Sequence, residues 1–334
     1  MALLGLETGV KAGAALLLGV LALGLLLGAR RKAPNAYAGA FVALLAANQA
    51  ADLVRATATG ETSAAAYRVA TVFAALDPLF LYYFASLHPA RNALQRPWPL
   101  ALVALGSAGI ALCAPLVSPD EDDARSNAVV AALGIFTTVV YAAVLVHLLR
   151  ASPSRPGTRL LAIGLLLAWM PTSVRASFAA FQLFSPLHRD LTLDARGGLL
   201  LACFLAPLAL AVALARRERP RADRGLGRAI LASVALTFVV YALPVAVGVA
   251  ILVGHPIGAA ELPYAWLSAL GSASASIRWI AFCGLASVAL LRDDLLGLRL
   301  RLRRRVARAL VAAGFVAAAL LAVLAWDDAN ARPP

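Results

Sequence analysis

Apolar residues in this chain neither alternate with polar ones nor recur at a helical period; they run together. Ten largely apolar stretches follow one another, at 12–29, 36–54, 66–87, 98–117, 127–149, 160–184, 197–215, 229–254, 264–291 and 309–326. Each has about 18 residues or more, enough to cross roughly 30 Å of hydrocarbon as an α-helix. In lipid every backbone N–H and C=O must bond within the protein, which leaves helices or a closed barrel. A barrel would show short segments of alternating polarity, and none is present. The pattern predicts an all-α fold: a polytopic transmembrane helical bundle of about ten spans. The spans starting at 229 and 264 are long enough to tilt or kink.

The polar positions between the runs carry a second signal. Cations gather in alternate connections: Arg30, Arg31 and Lys32; Arg91 and Arg96; Arg150, Arg155 and Arg159; six arginines between 216 and 228; seven between 292 and 308. That is 21 cations on one side against 7 on the other, with Arg175 and Arg278 inside spans. By the positive-inside rule both termini are expected outside, and the acidic run Asp120-Glu121-Asp122-Asp123 falls outside too. The first run is not a cleaved signal peptide, because its cluster of cations follows the apolar core instead of preceding it. The organisation expected is a main bundle over 1–291, a basic juxtamembrane segment over 292–308, and a last span with a short external tail over 309–334.

Composition narrows the class. The 334 residues are 62% hydrophobic and 14% charged, with a mean hydropathy of +0.82; soluble domains are roughly 45–50% apolar and about 25% charged. The net charge of +13 is spread over connections instead of forming one patch, so nucleic acid is not an expected partner; the bilayer is, in a multi-pass protein of the cell membrane. All but two of the cations are arginines, the lysines being Lys11 and Lys32. Neither lysine lies in mid-span, which excludes a retinal Schiff base. Cys113, Cys203 and Cys283 lie within apolar runs, where cysteine behaves as a small hydrophobe. His88 and His147 lie near inner span ends, and His188 and His255 lie in outer connections. With no ligand spacing for a metal and no nucleophile or nucleotide motif, no enzymatic activity, metal or cofactor is expected.

Ionisable groups inside spans are costly and mark candidate sites. Asp52 lies at the outer end of the second run, Asp77 near the middle of the third, Arg175 in the outer half of the sixth and Arg278 near the middle of the ninth. Asp52 matches Arg175 in depth, and Asp77 matches Arg278, so two internal ion pairs are expected. Asn48 and Gln49 share a helical face with Asp52. One reading makes these residues a polar ligand or ion site; the other makes them glue that holds helices in register. Pro171 kinks the sixth run, and Ser272, Ser274 and Ser276 allow close helix approach before Arg278.

The segment 292–308 places Leu295, Leu298, Leu302 and Val306 on one helical face and surrounds them with arginines. It reads as an amphipathic helix on the membrane surface, with Arg299, Arg301, Arg303, Arg304 and Arg305 as candidate ligands for anionic lipid headgroups; a plain topology signal is the other reading.

Two stretches together resemble a known module. The first is Leu76-Asp77-Pro78-Leu79-Phe80-Leu81-Tyr82-Tyr83-Phe84-Ala85-Ser86-Leu87-His88-Pro89 with Arg91 following; the second is Leu290-Leu291-Arg292-Asp293-Asp294-Leu295-Leu296-Gly297-Leu298-Arg299-Leu300-Arg301. They resemble the multi-span, seven-helix-type sensor modules at the amino end of membrane histidine kinases. The phosphoacceptor helix and ATP-binding domain of those kinases have no counterpart in this sequence. The resemblance implies a sensor-like module that signals through a separate partner or as a homo-oligomer. A secondary transporter of a small polar solute or ion, using the intramembrane Asp and Arg residues, is the rival expectation.

Overall fold

The computed structural model describes residues 2–28, 33–88, 93–118, 124–151, 158, 161–166, 168–169, 276, 278–280 and 282–286. Five long helices dominate: α1 (Ala2–Gly28), α2 (Ala33–Thr57), α3 (Gly60–Leu87), α4 (Pro97–Cys113) and α5 (Ala124–Ala151). Short 3-10 turns at Ala93–Gln95 and Ala114–Leu116 flank α4, and the described residues of 158–169 and 276–286 are helical. Among the described residues there is no strand. All five long helices have the length and apolar character needed to cross a membrane, over Thr8–Leu27, Ala33–Thr57, Gly60–Leu87, Pro97–Leu116 and Arg125–Arg150. They correspond to the first five apolar runs of the sequence. The later runs, the segment 292–308 and the tail lie outside the described residues, apart from 161–169 and 276–286.

The helices extend past the runs that announce them. α3 was expected from 66 and begins at Gly60, because Glu61, Thr62 and Ser63 continue the helix although they contribute nothing to hydropathy. Only Ala58 and Thr59 separate α2 from α3. Gly60 has φ of +60°, a left-handed conformation that a side chain would disfavour. The Ser63 hydroxyl donates to the Arg55 carbonyl across 3.2 Å, satisfying one of the orphan carbonyls at the end of α2.

Consecutive helices run antiparallel, and specific contacts fix the register. A Cβ on Gly39 would stand 2.8 Å from Leu26 Cγ and 3.1 Å from the Leu26 nitrogen, so α1 and α2 approach backbone to side chain. Tyr37 stacks on Tyr83 at one end of the α2–α3 pair, with centroids 5.3 Å apart, and the Arg55 guanidinium lies over the Tyr67 ring at the other. The Arg68 Nε donates to the Val117 carbonyl at 3.2 Å, joining the start of α3 to the end of α4. The Ser118 N–H donates to Ser126 Oγ, which donates back to the Ser118 carbonyl, each at 3.0 Å. The ends of α1, α3 and α5 therefore lie with the starts of α2 and α4. This is the end into which Arg30, Arg31, Lys32, Arg91, Arg96 and Arg150 feed, and it is called the basic end below.

Among the described residues the core is drawn mostly from α1, α2, α3, α5 and the two shorter segments, with Val103 added by α4, and Leu18, Leu45, Leu81, Leu148, Ile163, Leu166 and Leu285 are fully buried. α4 is peripheral. Its outward stripe of Trp98, Leu102, Leu105 and Leu112 is 59–80% exposed, an arrangement that suits contact with lipid. Lys11, placed by the sequence at the edge of its run, is instead inside the Thr8–Leu27 stretch and buried.

Candidate functional site

Among the described residues, hydrogen bonds between polar side chains cross the helix interfaces at three places, each joining elements distant in sequence. The first joins α3 to α5. Asp77 stands 17 residues after Gly60, the first residue of α3, and Tyr141 stands 17 residues after Ala124, the first residue of α5. The two helices run in the same direction, so the residues reach the same level. The Tyr141 hydroxyl donates to Asp77 Oδ1 across 3.1 Å, with both residues buried. Pro78 follows within the helix and cannot donate to the carbonyl four residues back.

An aromatic wall backs this bond. Tyr141 stacks on Trp169, with centroids 4.2 Å apart, and meets Phe41 edge to face at 6.2 Å. Phe41 in turn meets Phe282 edge to face. Phe282 lies over Gly164, where a Cβ would stand 3.1 Å from its ring. Depth matching pointed to Arg278 as the partner of Asp77. The Asp77 carboxylate is held by Tyr141 instead, and no Asp77–Arg278 ion pair is present among the described residues. Arg278 is itself deeply buried.

The second bond joins α2 to the 276–286 segment: the Ser276 hydroxyl donates to Gln49 Oε1 at 2.6 Å. With the Phe41–Phe282 contact it sets this segment antiparallel to α2. Gln49 is thus buried glue between helices, while Asn48 is half-buried. Asp52 lies one turn further along α2 and pairs with Arg55 on its own helix, with Nε and Oδ1 3.4 Å apart and both side chains partly exposed. Such an exposed i, i+3 pair contributes little, on the order of 0.5 kcal/mol. Arg175, the expected partner of Asp52, lies outside the described residues. So do Arg299, Arg301, Arg303, Arg304 and Arg305.

The third bond lies at the basic end and was not foreseen. His88 caps α3, with its N–H bonded to the Phe84 carbonyl and its ring stacked on Phe84, centroids 5.1 Å apart. Its Nε2 shares a hydrogen bond with Thr158 Oγ1 at 3.3 Å. His147 Nε2 reaches the His88 carbonyl at 3.2 Å; a carbonyl only accepts, so this nitrogen carries a proton. Two histidines that looked isolated thus tie α3, α5 and residue 158 together. The signal that was available is weak: both sit at run ends on the same side.

Between the central bond and the histidines lies a crevice lined by α1, α2, α3 and the two shorter segments, with a wholly apolar lining. Chemically the described bundle offers one carboxylate capped by a phenol, a neutral polar link, a histidine junction and an apolar crevice. Among the described residues no group of three metal-ligating side chains converges. Compared with protein-family models, with curated proteins and with solved structures, the chain has no match.

Proposed function

We propose that this chain is a receptor-like or accessory multi-pass protein of the cell membrane, with ten spans and both termini outside. It reads a component of the bilayer and responds through its basic cytoplasmic surface or through a separate partner. One observation carries the reading. Three polar pairs that cross the described helix interfaces are closed on themselves, Asp77 with Tyr141, Gln49 with Ser276 and His88 with Thr158, while the described lining of the crevice between them is apolar. A path for a polar solute needs polar groups aimed into a wet cavity; an apolar crevice suits hydrocarbon. The resemblance to kinase-linked sensor modules and the arginine-rich 292–308 segment support an output on the basic side.

Transport by the full chain decides between this reading and its rival. In proteoliposomes under imposed proton, sodium and solute gradients, the protein should add no current or uptake above empty vesicles. Solute-dependent uptake lost in Asp77→Asn would replace the sensor with a secondary transporter, for which a mid-helix carboxylate beside Pro78 is the supporting feature.

A further inference from the structure

We draw no further inference here: the strongest candidate, the exposed apolar stripe of Trp98, Leu102, Leu105 and Leu112 along the peripheral helix α4, is a face that lipid, another part of this chain or a second copy would cover equally well, and nothing among the described residues shows which of them does.

Discussion

Tyr141 holds Asp77 from a helix 64 residues away, its hydroxyl 3.1 Å from the carboxylate. The bond gives a buried acid a polar partner whose own ring packs on Phe41 and Trp169. Removing the donor while the acceptor stays buried costs more than the bond itself contributes, because the acceptor is left unsatisfied.

Tyr141→Phe should therefore destabilise the protein by about 1–3 kcal/mol. Replacing both partners, Tyr141→Phe with Asp77→Leu, should recover part of that loss. Thermal unfolding in detergent, followed by circular dichroism, reads both. A Tyr141→Phe variant as stable as wild type would show that the carboxylate has another donor.

Asp77 and Arg278 lie at similar depth but do not form an ion pair. Independent sites add in their effects, whereas contacting ones couple by about 0.5–3 kcal/mol. Asp77→Asn and Arg278→Gln should thus lower stability additively. A double variant that regains stability relative to the sum would mean that the two charges feel each other.

The long apolar runs made the five helices legible, because lipid allows them no other regular structure once a barrel is excluded. Their ends were less legible. The turn from Glu61 to Ser63 is polar and still helical, since helix formation asks for backbone bonds and not for apolar side chains. The need of Asp77 for a partner could be read from its depth; the identity of the partner could not. The Tyr141 hydroxyl is hidden in an apolar run, and depth matching ignores which helices are neighbours. The meeting of His88 and His147 failed to appear for the same reason, since lateral order among helices leaves no periodic trace in sequence.

Gly39 is where α1 and α2 come closest. Any Cβ there must displace Leu26, and its 3.1 Å distance to the Leu26 nitrogen leaves little room to relax. Gly39→Val should cost about 1–3 kcal/mol as an overpacked site, whereas Gly109→Val, with nothing within 4 Å of the added carbon, should be near neutral. Comparing the two melting temperatures separates the loss of close approach from the general cost of a β-branched residue in a helix. Equal losses would place the effect in helix propensity alone.

The last prediction concerns orientation, which rests on the 21-to-7 division of cations in the sequence. Cations close to span ends resist translocation, so the side that holds more of them stays in the cytoplasm. The helices α1 to α5 alternate in direction, so the connection after α4 lies opposite the basic end. Asp122→Cys in that connection and Ala222→Cys in the arginine-rich connection at 216–228 should then lie on opposite sides. In a background with Cys113, Cys203 and Cys283 replaced by alanine, an impermeant maleimide added to intact cells should label position 122 and spare 222 until the membrane is opened. The reverse pattern would invert the protein and put its acidic run in the cytoplasm. Labelling of both positions in intact cells would instead break the alternation, meaning that the number of spans between them is even and that ten is the wrong count.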